Sequence, residues 1–300
     1  MYPGRFEYHV PDSLEDAVRY LERAGGEARP LAGGQSLIRL LRFRYESPGH
    51  LVDLRRLGLS GIEEAGDTLT VGAMTTDAAL ESSPDIRRYP LLADVARVIG
   101  DPLVRNLGTI GGSAAYAHPS GDWGAALLAA RATFLAAGPQ GQRDIPADEF
   151  FVGSYCTALG PAEVLTGIRM SGLRDGGGAY LKLHRKVGDF ATVGVGVQLT
   201  VDAEGKVSDC GIGLTGVALS YVRAAKAEEY LVGRNLDRDS LRRGSGIAAE
   251  ETHPVKDARG SAIYKREMVK VLCAQALETA ARRAGAPVPR AVHPSSPRGR

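Results

Sequence analysis

The chain has 300 residues, 44% hydrophobic and 24% charged, with 37 basic and 35 acidic side chains and a net charge of +2. That balance suits a sizeable core in one large domain or two, and it sets up no field that would argue for nucleic acid as a partner. No run of about 18 apolar residues offers a membrane span. Residues Met1 to Arg5 lack the apolar core of a signal peptide, so the expected location is cytoplasmic.

In chain order, the first predicted helix covers Ser13 to Ala24. Leu14, Ala17, Val18 and Leu21 recur at helical spacing, Ser13 is the N-cap candidate and Gly25-Gly26 the stop. Ala28 to Ala32 reads as a strand running into Gly33-Gly34. His50 to Leu54 and Thr68 to Met74 read as further strands. Thr75 or Thr76 caps a short helix, and Leu91 to Ile99 forms another, stopped at Gly100-Asp101-Pro102. Leu103 to Tyr116 is small, glycine-rich and weakly apolar. Asp122 precedes the helical run Trp123 to Leu128, and strands follow at Ala132 to Ala136 and Glu163 to Met170.

Asp175 to Gly178 reads as a flexible joint. Beyond it, Ala179 to Lys186, Ala191 to Val201 and Val207 to Val217 form an antiparallel meander, turning at Gly188-Asp189 and Glu204-Gly205. Val193, Val195, Val197 and Leu199 share one face of the middle strand, with Gly194 and Gly196 on the other. Helices follow at Ala224 to Leu231, Ser240 to Glu251 and Ala262 to Ala284. The expected division is an α+β domain at 1–174, a sheet with helices at 175–285, and a tail at 286–300 with little to bury.

Cys156, Cys210 and Cys273 form no C-x-x-C pair. Three thiols cannot supply the four ligands of an iron–sulfur cluster, and the odd count argues against a disulfide framework. They are expected to be buried or half-buried free thiols. The six histidines show no H-x-x-H or H-E-x-x-H spacing, so redox chemistry here needs an organic cofactor and no metal site is assigned.

Four segments could carry chemistry. Ala32-Gly33-Gly34-Gln35-Ser36-Leu37 follows a strand; glycine permits positive φ and close approach of a ligand to the backbone, and consecutive amides can form an anion nest. An ordinary strand–turn–helix connection fits it equally well. Thr109-Ile110-Gly111-Gly112-Ser113 is a second glycine loop, neither a Rossmann fingerprint nor a P-loop. Alone it reads as small-residue packing, but two such loops suggest a diphosphate held from two sides. In the third segment, Asp122 either caps the next helix or accepts from a cofactor hydroxyl. His118 there is a solvated loop histidine or a group at the cofactor, and Trp123 is expected in the core. In the fourth, Tyr180, Lys182, His184 and Lys186 share a strand face, either a solvated surface or a cationic edge beside a flavin.

These residues resemble the FAD-binding medium subunits of the carbon monoxide dehydrogenase and xanthine dehydrogenase family. The resemblance rests on Ala32 to Leu37, Val52-Asp53-Leu54, Val71-Gly72-Ala73, Thr109 to Ser113, Arg185-Lys186-x-Gly188-Asp189-Phe190-Ala191 and Arg259-Gly260-Ser261-Ala262-x-Tyr264-Lys265-Arg266, in order from Phe6 to about Ala284. It implies an FAD-binding PCMH-type fold like that of vanillyl-alcohol oxidase, made of two α+β subdomains. An antiparallel sheet with helices, of the CO dehydrogenase flavoprotein C-terminal type, follows. It also implies noncovalent FAD, with Ala32 to Ser36 and Thr109 to Ser113 on the diphosphate, Leu37 closing the first loop, Asp122 near the ribityl chain, Leu165 at the adenine, Lys182 near the ring, and a further contact near Asp101.

The implied activity is electron relay within an oxidoreductase. Substrate is hydroxylated at a molybdopterin centre in a large subunit, 2Fe–2S clusters lie in a small one, and this chain passes electrons to an outside acceptor. The implied assembly is a heterohexamer with two copies each of the large, medium and small subunits. Two departures stand out: Ala117-His118-Pro119 replaces a commoner acidic–proline pair, and Ile38-Arg39-Leu40 replaces a proline-containing run. The alternative function is a free-standing FAD-dependent oxidase or reductase of the same fold.

Overall fold

Apolar side chains gather into three clusters, each dominated by a different sheet. The computed structural model describes residues 2–174 and 176–288. Asp175 of the expected joint, and the expected tail beyond residue 288, lie outside the described residues.

The first unit alternates strands and helices: β1 (Glu7–His9), α1 (Leu14–Arg23), β2 (Ala28–Leu31), α2 (Leu37–Phe43) and β3 (His50–Asp53). Its parallel sheet has the order β1-β3-β2. Ser13 caps α1, its Oγ accepting from the Asp16 amide at 3.1 Å, and the acidic pair Glu15 and Asp16 sits at the positive end of the helix dipole. Ala17, Val18 and Leu21 form the stripe that α1 buries with Val52 and Leu54.

The second unit contains β4 (Ile62–Ala65), β5 (Thr68–Gly72), α3 (Asp77–Ser82), α4 (Pro90–Val98), α5 (Pro102–Leu107), α6 (Ile110–Tyr116), α7 (Trp123–Ala129), β6 (Thr133–Gly138), β7 (Gly141–Pro146), α8 (Ala147–Phe150), the hairpin β8 (Phe151–Gly153) and β9 (Cys156–Thr157), and β10 (Val164–Ser171). Its antiparallel sheet runs β4-β5-β10-β6-β7. The stretch read as merely small and glycine-rich folds into two short helices, α5 and α6. Asp101 caps the first, its Oδ1 accepting from Val104 at 2.9 Å, and Thr109 caps the second. Caps at both starts stabilise helix where propensity is poor.

The third unit is the meander β11 (Gly177–Leu183), β12 (Val193–Val201), β13 (Val207–Thr215) and β14 (Val222–Arg223), with α9 (Ala225–Leu231), α10 (Arg238–Glu250) and α11 (Ala262–Arg283). The alternation in β12 decides its packing. Val195, Val197 and Leu199 pair across β13 with Leu214, Ile212 and Cys210, and with Val193 this face packs in one cluster with α9, α10 and α11. The opposite face is glycine, and there α7 of the second unit lies directly on the sheet. A Cβ on Gly213 would overlap the Ala125 carbonyl oxygen, and one on Gly211 the Ala129 carbonyl oxygen. Every residue of α7 is buried, the condition of a helix apolar on all sides.

The expected joint is corrected here. Gly177 and Gly178 belong to β11, paired with Leu199 and Gln198. Gly177 packs against the Ala280 carbonyl, and a Cβ on Gly178 would come 2.7 Å from Leu91 Cβ, so close packing on both faces explains these glycines. Cys210 and Cys273 are buried free thiols, whereas Cys156 is exposed on the β8–β9 hairpin, against expectation. Among the described residues no helix is long and apolar enough to cross a membrane.

Candidate functional site

The first glycine loop leaves β2 at Leu31 and enters α2 at Leu37. Gly34 turns the chain at φ +74°, a conformation that favours glycine. Ser36 precedes α2 without capping it through its side chain. Among the described residues, the amides of Gly33 through Leu37 find no acceptor in the chain, and all five residues are half-buried. Successive unpaired N–H groups at the start of a helix form an anion site.

The second loop is built differently. Ile110 donates its amide to the Thr75 carbonyl at 3.1 Å, Gly111 to Ala73 at 2.9 Å, Gly112 to Thr109 Oγ1 at 3.1 Å and Ser113 to the Thr109 carbonyl at 2.9 Å. The amides of Ile110 through Ser113 are committed, and what the loop offers is small-residue surface and hydroxyls.

The two loops meet. A Cβ on Gly33 would overlap the Leu107 carbonyl oxygen, and a Cβ on Gly112 would come 3.2 Å from Ala32 Cβ and 2.7 Å from Thr109 Oγ1. Segments far apart in sequence thus meet in one place, and the first of them carries amides without an acceptor among the described residues. An anionic group such as a diphosphate fits it: donors without acceptors await one, and glycine leaves room for close approach.

Asp77, which no motif singled out, braces the second loop. Its amide donates to the Gly108 carbonyl at 2.9 Å, and its Oδ1 accepts from Trp123 Nε1 at 2.8 Å. Burial pushes this carboxyl up to about 6; the charge of Asp122 adds to the rise, while Trp123 and Arg105 oppose it.

Asp122 is not the expected N-cap, since it has helical φ/ψ and its side chain bonds no helix amide. Its carboxylate accepts instead from the Tyr180 hydroxyl at 2.7 Å and from Lys182 Nζ at 2.8 Å, and Lys182 also donates to the Val98 carbonyl at 3.0 Å. Burial raises the Asp122 carboxyl against the pull of Lys182. Tyr180 and Lys182, predicted to share a strand face, do so, but neither a solvated surface nor a free cationic edge describes them: they point into the junction between units. His184 lies just beyond the strand, and its Nδ1 is buried without a partner among the described residues. Leu165 is buried in the same cluster as Ile110, one residue from Thr166, whose carbonyl accepts from Ala73.

His118 lies flat against Phe190, ring centroids 3.8 Å apart and planes within 4°. Its Nδ1 accepts from the Ser120 amide at 3.0 Å, so in the neutral ring the proton sits on Nε2. Burial, then the charge of Arg259, lowers its pKa to about 4. It is neither a solvated histidine nor a base poised for neutral pH. Tyr221 Oη, Ser220 Oγ and Arg259 Nε are also buried without partners among the described residues. Gly121 and Gly124 both lie against the Tyr221 ring or hydroxyl. Sequence reasoning missed Asp77, Tyr180's bond and Tyr221, because each is an isolated residue whose neighbours lie on another element.

Comparison with known proteins adds an independent line. Residues 4–170 match the model of the FAD binding domain in molybdopterin dehydrogenase, and residues 178–280 that of the CO dehydrogenase flavoprotein C-terminal domain. The chain is 42% identical to the carbon monoxide dehydrogenase medium chain of Hydrogenophaga pseudoflava, covering 93% of this chain and 98% of that one. It is 35% identical to the 6-hydroxypseudooxynicotine dehydrogenase complex subunit alpha of Paenarthrobacter nicotinovorans, over 95% and 97% of the two chains. Among solved structures, carbon monoxide dehydrogenase from Hydrogenophaga pseudoflava superposes with a TM-score of 0.91 at 42% identity, covering 94% of this chain and 99% of that one. Quinoline 2-oxidoreductase from Pseudomonas putida 86 does so with a TM-score of 0.88 at 30% identity, covering 95% and 99%.

Proposed function

This chain belongs to the family of FAD-binding subunits of molybdopterin dehydrogenases, and from that premise we propose that it is the medium subunit of a molybdenum hydroxylase. In that role it carries noncovalent FAD and relays electrons from the 2Fe–2S clusters of a small subunit to an external acceptor, while substrate is oxidised at molybdopterin in a large subunit. The observation that carries the reading is the meeting of the loops: amides from Gly33 to Leu37 that find no acceptor among the described residues, beside a second loop that Gly112 brings against Ala32.

In this reading the residues divide the work. The amides of the first loop, with Gln35 and Ser36, hold the diphosphate, and Thr109 to Ser113 close it from the other side. Leu165 supports the adenine end. Asp122 and Lys182 fix the junction at which the C-terminal domain meets the FAD-binding domain, next to the ring site. Bound FAD supplies the exchange between one-electron and two-electron transfer. The domain limits are 1–174 and 175–285, the assembly is a heterohexamer with two copies of each of the three subunits, and the location is cytoplasmic. The relatives' names cover different substrates on one medium-subunit design, which fits a substrate chosen by the large subunit.

The test is the absorbance spectrum of the purified full chain, with the supernatant after acid precipitation. A flavin spectrum, released without proteolysis and identified as FAD by chromatography, is expected, together with no turnover by the chain alone. A colourless chain that refuses FAD even with its partner subunits would overturn the reading. Turnover by the isolated chain would favour a free-standing flavoenzyme.

A further inference from the structure

A cluster outside the glycine loops, in the first sheet, has no part in the function above. Parallel pairing of β1 with β3 sets Glu7 opposite His50, and Glu7 and His9, two residues apart on a strand, point to the same face. His9 Nε2 lies 3.1 Å from His50 Nδ1, and one Glu7 carboxylate oxygen lies 3.7 Å from the first nitrogen and 3.4 Å from the second. Ligands about 2.0–2.1 Å from a tetrahedral zinc ion stand roughly 3.4 Å apart, and the three observed edges bracket that spacing. The His9 ring is held from behind by stacking on Tyr20 of α1, centroids 4.5 Å apart. The His50 amide is anchored to the Glu27 carbonyl at 3.2 Å. The Glu7 side chain is 73% exposed, which leaves the cluster open to solvent on one side.

We propose that Glu7, His9 and His50 form a site for a zinc-class divalent cation, with water as the remaining ligand. Two imidazole nitrogens and one carboxylate oxygen are a donor set that zinc accepts and that magnesium and calcium, which prefer all-oxygen shells, do not. His50 opens β3 whereas the first glycine loop follows the far end of β2, so the ion acts as a clip. It ties the three-residue edge strand β1 to the central strand β3, and because it binds only the folded arrangement it stabilises that arrangement by mass action.

The test uses the full-length chain without an affinity tag, stripped with chelator, desalted and titrated with ZnCl2 by calorimetry. Co2+ serves as a spectroscopic stand-in. The expected result is one Zn2+ per chain with a dissociation constant in the micromolar range or tighter, a four-coordinate Co2+ visible spectrum, and a zinc-dependent rise in melting temperature. Glu7→Gln and His50→Gln each weaken binding by about tenfold or more and abolish the zinc-dependent rise. Glu7 is exposed, so its variant folds even if the His50 variant does not. Absence of saturable zinc binding by the wild-type chain would overturn the proposal, as would equal binding by wild type and Glu7→Gln.

Discussion

Asp122 and Lys182, 60 residues apart in the chain, hold their charges 2.8 Å apart with side chains only 6% and 2% exposed. One comes from the loop before α7, the other from β11, so the pair joins the FAD-binding unit to the C-terminal sheet. Removing one charge leaves the other buried without a counterion. Lys182→Met is therefore expected to cost about 3–5 kcal/mol. Adding Asp122→Asn to that variant should recover most of the loss, because an apolar–neutral pair carries no desolvated charge. Urea unfolding of the two single variants and the double variant checks this; additive losses would show that the pair is uncoupled.

Gly33 is where the two loops touch. Gly33→Ala places a methyl group onto the Leu107 carbonyl oxygen, and backbone must move to accommodate it. FAD affinity is expected to fall by about tenfold or more, as when a site's supporting geometry shifts. A useful control is Gly66→Ala in the β4–β5 turn, where φ is +62° and the space is open. It should cost about 1–2 kcal/mol of stability from left-handed backbone and leave FAD binding unchanged. Flavin fluorescence titration separates the two outcomes.

His118 provides a pH signature. Its folded pKa of about 4 lies below the ordinary value of 6.5, so the fold disfavours the charged ring. Its contribution to stability is present above 6.5 and is lost as pH falls through 4. The size is on the order of 2–3 kcal/mol. Comparing urea midpoints at about pH 7 and about pH 4.5 for wild type and His118→Gln should show a smaller acid loss in the variant. The histidine ring proton should titrate near pH 4 by NMR.

Asp77 has the opposite sign. Its folded pKa of about 6 lies above the ordinary 3.8, so its contribution is full below about pH 4 and is lost as pH rises through 6. Asp77→Asn keeps an acceptor for Trp123 Nε1 and removes the buried charge. At about pH 7 the variant is expected to gain stability, on the order of 2 kcal/mol, with the gain vanishing near pH 4. Thermal melts across that window decide it; a destabilised variant at neutral pH would show that the charge itself is needed at the bond from Trp123 Nε1.

Much of this protein was legible in the chain alone. Ser13 caps its helix as local sequence predicts, accepting from the amide three residues on. The alternation Val193-Val195-Val197-Leu199 became the face of β12 that packs with α9, α10 and α11, with Gly194 and Gly196 on the other side. Caps, turns and periodicity act within a few residues, so their physics is written in adjacent letters. The two glycine loops stood out for the same reason. Only the tertiary structure decided what the side chains do with distant partners. It turned Asp122 from a cap into the partner of Lys182 and Tyr180, and it gave Trp123 a bond to Asp77. Among the described residues it left the amides of Gly33 to Leu37 without an acceptor while committing those of Ile110 to Ser113, and it brought His9 and His50 together across two strands. Those outcomes depend on which elements lie side by side, and that is set by collective burial of the whole chain rather than by any local stretch of sequence.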